Sequence, residues 1–241
     1  MVIWYALLLV AGYLAGSIPS AYLAAKWSRG IDLRQYGSGN VGVSNLLTVA
    51  SKRWGVLVVV LDLGKGMLPT YIAAQIGLPV YQQITVGLAT VAGHNWPVFL
   101  SFRGGRGLLT TMGVVFVLAP WLGLTLTALA LAWIPFKQLA LGSIVAMVLL
   151  PIFAWFLSGP FGIERSLSLT LGFLAVLLLT IIRRLTAPRT ALSASLRQRE
   201  LVINRLLFDR DVRDRKAWIT QAPSGAGPDK PSPSPEQGEG N

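Results

Sequence analysis

The feature that most constrains this chain is a series of long apolar stretches separated by short polar turns. Seven stretches are found, at residues 2–27, 55–76, 84–100, 108–118, 121–136, 139–157 and 168–182. Only 13% of the 241 residues are charged, against about 25% in an ordinary soluble domain. We therefore predict an all-α, polytopic membrane helix bundle with about seven transmembrane helices. Six spans would result if the fourth and fifth stretches formed one bent hairpin around Ala119-Pro120.

The charged residues are distributed unevenly along the chain. Residues 1–182 hold ten Lys or Arg and three acidic residues, whereas residues 183–241 hold eleven and seven. Alternate loops carry the cations of the first part: residues 26–53, 103–106 and 137 belong to one set, and residues 77–83, 119–120 and 158–167 to the other. The positive-inside rule places the first set in the cytoplasm, with the amino terminus outside and the carboxyl terminus cytoplasmic. Because membrane topology accounts for where the basic residues lie, the net positive charge of the chain does not indicate a nucleic-acid partner.

Three regions are expected along the chain. Residues 1–182 form the membrane-embedded bundle, 183–220 a basic amphipathic cytoplasmic segment, and 221–241 a disordered tail rich in Pro, Gly, Ser and Glu. Within the second region, apolar residues recur at roughly helical spacing from Arg189 to Trp218, with arginines between them. This pattern is typical of a helix on an anionic membrane surface. A solvated or partner-docking helix is the alternative.

Several kinds of catalytic site are excluded by composition. The chain has no cysteine and a single histidine, His94, so a thiolate nucleophile and multi-Cys or multi-His metal sites are ruled out. No P-loop or Gly-x-Ser-x-Gly motif is present. The spacing of Gly37, Gly39 and Gly42 matches a dinucleotide fingerprint, but that motif requires a strand before it, and here a membrane helix precedes it.

Two glycine-rich loops on the predicted cytoplasmic face point to a phosphate-bearing ligand. They span residues 37–45 and 93–107. Glycines let backbone N–H groups converge on an anion, and Arg106, Ser38 and Asn40 add donors. Each loop is followed by a helix whose amino-terminal end favours an anion. Alternatively, the glycines serve helix packing, as Gly12-x-x-x-Gly16 is expected to, and the arginines only set topology.

Two charged residues lie inside the second apolar stretch. Asp62 and Lys65 are three residues apart, so they can face each other on one side of a helix. We favour a structural ion pair over direct ligand binding. The neighbouring Gly64 and Gly66 suggest close packing.

Ordered motifs across residues 1–182 resemble the bacterial acyl-phosphate:glycerol-3-phosphate acyltransferases. The matching runs are residues 16–22 (GSIPSAY), 30–32 (GID), 36–45 (YGSGNVGVSN), 62–66 (DLGKG) and 93–107, which begins Gly-His. The resemblance implies seven membrane helices, an outside amino terminus and an active site on the cytoplasmic side of the bacterial plasma (inner) membrane.

The resemblance also implies a reaction and a set of site residues. A fatty acyl group would move from acyl phosphate to the 1-hydroxyl of glycerol 3-phosphate, giving lysophosphatidate and phosphate without a metal or cofactor. Ser38, Arg106 and His94 would be catalytic. Phosphate or substrate would be bound by Gly37, Gly39, Asn40, Gly42, Ser44, Asn45, Gly104, Gly105, Gly107, Ser143 and Arg184. Membrane lipids and the enzyme that produces the acyl phosphate are the expected partners.

The chain departs from the family pattern at several positions. Arg106 stands where the family usually has Lys, Thr48 where it has Arg, and residues 183–187 (RRLTA) where it reads Arg-His-x-x-Asn. Arg184 could supply the missing positive charge. These changes leave open a second hypothesis, a non-catalytic relative that binds acyl phosphate or lipid and regulates another enzyme. A transporter is disfavoured because the polar residues gather at one face and no half-repeat is found.

Overall fold

The computed structural model describes residues 1–50, 52–157, 166–194 and 196–219, and these residues form helices joined by turns and short loops. The α-helices are α1 (Val2–Ser17), α2 (Ser20–Arg29), α3 (Val43–Val49), α4 (Lys52–Gln75), α5 (Val80–Asn95), α6 (Leu108–Leu118), α7 (Pro120–Leu131), α8 (Leu139–Phe156), α9 (Ser166–Leu185), α10 (Gln198–Phe208) and α11 (Arg215–Ile219). Three short 3₁₀ turns lie at Leu33–Gln35, Val98–Leu100 and Ala191–Ser193. Most of the predicted outside loop at 158–167 and all of the predicted disordered tail, residues 221–241, lie outside the described residues.

Each of the seven apolar stretches overlaps at least one α-helix. Four segments are long and apolar enough to cross a membrane: Val2–Arg29, Lys52–Gln75, Leu139–Phe156 and Leu167–Leu185. Two shorter apolar helices, α6 and α7, meet at Ala119-Pro120. Large apolar side chains cover the exterior, and Trp4 and Phe156 are 62% and 74% exposed. An apolar exterior around a helical bundle fits a hydrocarbon environment better than water.

The first apolar stretch, residues 2–27, is divided into two helices, α1 and α2. Ile18 is extended, with φ −63° and ψ 115°, and α2 begins only after Pro19. The proline lacks a backbone N–H and disfavours helical backbone in the residue before it. The break leaves the Ile18 carbonyl available, and the Lys65 ammonium donates to it at 3.2 Å.

Glycines bring the central helices into close contact. A Cβ at Gly16 of α1 would overlap the Thr90 carbonyl of α5, and one at Gly66 of α4 would overlap the Thr110 carbonyl of α6. The packing predicted for Gly16 and Gly66 is therefore confirmed. It is wrong for Gly64, where a Cβ would meet nothing within 4 Å.

The segment after α9, described at residues 186–194 and 196–219, folds back onto the bundle, where α10 contacts α8 and α9. It does not form one continuous helix from Arg189 to Trp218, as the spacing suggested. α10 ends at Phe208 and is followed by Asp209, which has a left-handed backbone with φ 53°. α11 starts after Asp214, whose carboxylate accepts from the Lys216 N–H at 2.8 Å. The face of α10 that carries Leu201 and Arg205 is buried, with 2% and 4% exposure.

Candidate active site

A cavity of about 520 Å³ lies where the glycine-rich loop meets the segment after α9. One side is lined by Ser38, Asn40, Ser44, Asn45, Thr48 and Arg106. The other side includes Lys137, Gln138, Phe208, Asp209, Arg210, Arg215 and Trp218. Residues from both predicted phosphate-binding loops therefore reach one space.

The first loop is held in shape by the side chain of Asn45. Its amide nitrogen lies 3.2 Å from the Leu33 carbonyl, 2.9 Å from that of Tyr36 and 3.0 Å from that of Asn40. Its amide oxygen accepts from the Ser38 N–H at 3.0 Å. Because Asn45 is buried and uses both ends of its amide on the loop, its side chain positions the neighbouring residues.

Backbone conformation explains why glycines occupy two positions of this loop. Gly37 and Gly39 have φ values of 57° and 67°, a region that residues with a Cβ rarely adopt. A Cβ at Gly37 would also collide with the Asn45 amide. The third predicted glycine, Gly42, is extended and precedes α3.

The resulting turn presents polar groups to the cavity. The Ser38 hydroxyl accepts a long hydrogen bond, 3.4 Å, from the Asn40 N–H. The side-chain oxygen of Asn40 is buried and has no hydrogen-bond partner among the described residues. Ser44 is exposed on the first turn of α3. Hydroxyl and amide groups in this arrangement can donate to phosphate oxygens.

An ion pair fixes the base of this loop. The Arg34 guanidinium lies 2.6 Å from the Asp32 carboxylate. The hydrogen bond from Arg34 is the main cause that holds the pKa of the Asp32 carboxyl below its ordinary value, against the opposing effect of burial.

The second loop delivers Arg106 to the same cavity. Its Nε lies 2.5 Å from the Asp209 carboxylate. The carbonyls of Gly104 and Gly105 accept from Arg183, at 2.6 and 2.8 Å. Gly107, with φ 69°, ends the loop as the residue before α6. Gly104 and Gly105 therefore do not line the cavity. Their hydrogen bonds with Arg183 hold the loop that carries Arg106.

His94 lies in a separate, much smaller space with Gly104, Gly105 and Lys65. Its Nδ1 is 3.9 Å from the Asp62 carboxylate. A Cβ at Gly105 would collide with His94 Nε2, so the ring packs directly on the second loop. His94 is buried and does not line the large cavity.

The predicted Asp62–Lys65 ion pair is confirmed. The two charged groups are 2.8 Å apart, and their side chains are 3% and 9% exposed. The Ser20 hydroxyl donates to the same carboxylate. The pair therefore joins α4 to the break between α1 and α2, where Lys65 also binds the Ile18 carbonyl.

Ser143 and Arg184 contact each other beside the large cavity. The Arg184 guanidinium donates to the Ser143 hydroxyl at 2.9 Å and to the Ala140 carbonyl at 3.1 Å. It also donates to the Leu206 carbonyl. These contacts tie α8, α9 and α10 together, and neither residue lines the cavity.

Sequence reasoning missed two contributions to the site. Arg183 donates to the second loop and is the neighbour of Arg184, which was predicted as a binding residue. The two consecutive arginines were therefore the sequence signal that could have identified Arg183. The wall formed by Phe208, Asp209 and Arg210 had no local signal, because it depends on how the segment after α9 folds back.

Comparisons with known proteins identify the family of this chain. The model of the glycerol-3-phosphate acyltransferase family matches residues 6–192. The protein called glycerol-3-phosphate acyltransferase 4 of Dehalococcoides mccartyi (strain CBDB1) is 45% identical over 217 residues, which cover 90% of this chain and 94% of that protein.

Solved structures show the same relationship. The crystal structure of PlsY (YgiH), an integral membrane glycerol 3-phosphate acyltransferase, in its glycerol 3-phosphate form superposes with a TM-score of 0.68 at 34% identity, covering 87% of this chain and 95% of that one. Its lysophosphatidic acid form gives 0.68 at 31% identity, with 89% and 97% covered. This chain belongs to the glycerol-3-phosphate acyltransferase family, and its fold is a membrane helix bundle.

Proposed function

We propose that this protein is a membrane acyltransferase that moves a fatty acyl group from acyl phosphate to the 1-hydroxyl of glycerol 3-phosphate. The observation that carries the proposal is the cavity in which Ser38, Asn40 and Ser44 of one loop face Arg106 of the other. This donor set suits phosphate oxygens, since guanidinium binds them in a fork and hydroxyls and amides fill the remaining positions.

The reaction needs positioning and charge stabilisation. The 1-hydroxyl oxygen forms a bond to the acyl carbonyl carbon, and the bond from that carbon to the phosphate oxygen breaks. Phosphate departs with the electron pair and takes up the hydroxyl proton. Because the acyl group is already activated, holding both substrates close supplies much of the rate enhancement. No enzyme nucleophile is required.

The geometry supports a separate role for each of these residues. Arg106 and Ser38 would contact the phosphate and the developing negative charge. Asn40 and Ser44 would complete the phosphate site, while Gly37, Gly39, Gly42 and Asn45 shape it. His94, Gly104, Gly105 and Gly107 would position Arg106, and Ser143 with Arg184 would hold the neighbouring helices.

The same proposal includes topology and location. Seven spans, an outside amino terminus and a cytoplasmic site at the bacterial inner membrane are supported by the cations of loops 26–53, 103–106 and 137. Arg106 and Lys137 of this set line the cavity. The bundle would then comprise residues 1–182 and the cytoplasmic segment residues 183–220. The enzyme that makes acyl phosphate would deliver the donor at this face.

The direct test is phosphate release by the purified protein in detergent or lipid cubic phase. Palmitoyl phosphate is the donor, glycerol 3-phosphate is present or absent, and Ser38→Ala is the comparison variant. We expect release that needs the acceptor, is matched by lysophosphatidate formation and falls at least about tenfold in the variant. No release, where an active family member turns over, would overturn the proposal in favour of a non-catalytic relative.

A further inference from the structure

The cavity is completed by residues beyond the part of the chain that the family model covers. That match ends at residue 192, whereas Phe208, Asp209, Arg210, Arg215 and Trp218 line the cavity. The segment after α9 therefore brings its own chemistry to the proposed substrate site.

Buried hydrogen bonds fix this segment in place just before and just after the residues Asp209 and Arg210 along the chain. On one side, Arg184 donates to the Leu206 carbonyl. On the other side, the Arg205 guanidinium lies 2.7 Å from the Asp211 carboxylate and 2.8 Å from the Leu185 carbonyl. Asp209 and Arg210 lie between these two anchors, so their positions are set by the fold.

The charges on this wall are not balanced. Asp209 pairs with Arg106 at 2.5 Å. Arg210 has no carboxylate within ion-pair distance among the described residues, and its Nε is buried without a hydrogen-bond partner there. The guanidinium lies over the Phe208 ring, 5.4 Å from the centroid.

Its surroundings disfavour the charge of Arg210. Burial, followed by the nearby Arg215, lowers the pKa of its guanidinium, and Asp214 offsets this only in part. A cation that is partly desolvated beside a second cation is stabilised when an anion arrives. The cavity in front of both arginines is the space such an anion would occupy.

We propose that Arg210 is a substrate-binding residue that receives a phosphate group in this cavity. The proposal rests on the proposed function, because that function supplies the phosphate-bearing ligands. Glycerol 3-phosphate and acyl phosphate both carry a phosphate group. Varying the concentration of each substrate separately identifies which of the two Arg210 contacts. Arg215 adds positive charge to the same wall.

The test compares Arg210→Gln with a matched neighbour, Arg213→Gln. Arg213 also lies over the Phe208 ring, at 5.7 Å, but it is exposed and does not line the cavity. We expect Arg210→Gln to raise KM for one of the two substrates about tenfold or more, with a smaller change in kcat. Arg213→Gln should stay within about twofold of wild type, and Arg210→Lys should recover part of the loss.

A binding measurement separates this inference from the proposed function. The rise in the thermal unfolding midpoint caused by glycerol 3-phosphate, palmitoyl phosphate or inorganic phosphate reports binding without turnover. We expect the rise in wild type to shrink in Arg210→Gln and to persist in Arg213→Gln. Equal ligand-induced rises in both folded variants, or no rise in wild type with any of the three ligands, would overturn the inference. Binding without acyl transfer would overturn only the proposed function.

Discussion

At the residue scale, Asn45 connects the fold of the first loop to its chemistry. The nitrogen of this buried amide lies within hydrogen-bond distance of three backbone carbonyls, and its oxygen accepts from one backbone N–H. The Tyr36 and Leu33 carbonyls also accept from backbone N–H groups, at 3.0 and 3.4 Å. Loss of the amide would therefore remove one hydrogen bond from each carbonyl, at a cost of about 0.5–1.5 kcal/mol per bond. The polar groups of Ser38 and Asn40 face the cavity because Asn45 holds the turn.

Replacing Asn45 by Asp should therefore unfold the loop locally. The substitution keeps the size but turns the donor into a carboxylate oxygen facing three carbonyls. We expect the free energy of unfolding to fall by about 2 kcal/mol or more and acyl transfer to drop with it. The control is Gln35→Glu, which makes the same amide-to-carboxylate change on an exposed side chain nearby. If thermal unfolding shows equal midpoints for the two variants, Asn45 does not have this role.

The grouping of residues around one cavity could be predicted from the sequence where those residues lie close together along the chain. Ser38, Asn40 and Ser44 lie within a few residues of one another, and their loop composition alone indicated a shared site. Arg106 joined them because the charge pattern placed both loops on one face. Asp209 could not be foreseen, because its contact with Arg106 depends on the path of the chain after α9.

At the scale of elements, close helix crossings set the positions of the loops. Gly66 brings α4 against the Thr110 carbonyl of α6, the helix that follows the loop carrying Arg106. Gly64, two residues earlier, has open space around it. The sequence alone predicts close packing for both glycines. Which of them faces the neighbouring helix depends on the rotation of α4 about its axis.

This pair gives a matched test of the packing. Gly66→Ala should lower the free energy of unfolding by about 1–3 kcal/mol because the added methyl overlaps backbone. Gly64→Ala should leave it unchanged or raise it by about 0.5–1 kcal/mol, since alanine favours helix. Thermal unfolding in one detergent measures both, and an equal effect of the two substitutions would contradict the crossing.

Two helices end earlier than the spacing of apolar residues suggests, and each break has an identifiable cause. Pro19 divides the first apolar stretch, and its sequence signal was available. Asp209 divides the last amphipathic segment by adopting a left-handed backbone, which a helical spacing pattern cannot reveal. The first break leaves the Ile18 carbonyl available to Lys65. At the second break, Asp209 contacts Arg106 at the cavity.

At the scale of the whole molecule, one face of the bundle carries both the cations and the cavity. The loops at 26–53 and 103–106 and the segment after α9 meet there. Charge asymmetry alone predicted this grouping, because alternate loops of a helical bundle lie on the same side of the membrane. That residues between 208 and 218 also line the cavity could be seen only from the three-dimensional structure.

The proposed orientation can be measured directly, because the chain contains no cysteine. In intact cells, we expect a membrane-impermeant maleimide to label Val2→Cys. Ala226→Cys should be labelled only after the membrane is opened, since the basic carboxyl-terminal region is expected in the cytoplasm. Labelling of both variants in intact cells would contradict an odd number of spans.

The most direct test of the central claim, that the cavity carrying Arg106 is where acyl transfer occurs, compares two arginines of one loop. Arg106 lines the cavity, whereas Arg103 is exposed and does not. With palmitoyl phosphate and glycerol 3-phosphate as substrates, kcat/KM should fall about 100-fold or more in Arg106→Gln and stay within about twofold of wild type in Arg103→Gln. Wild-type turnover by a folded Arg106→Gln variant would contradict the assignment of this cavity as the active site.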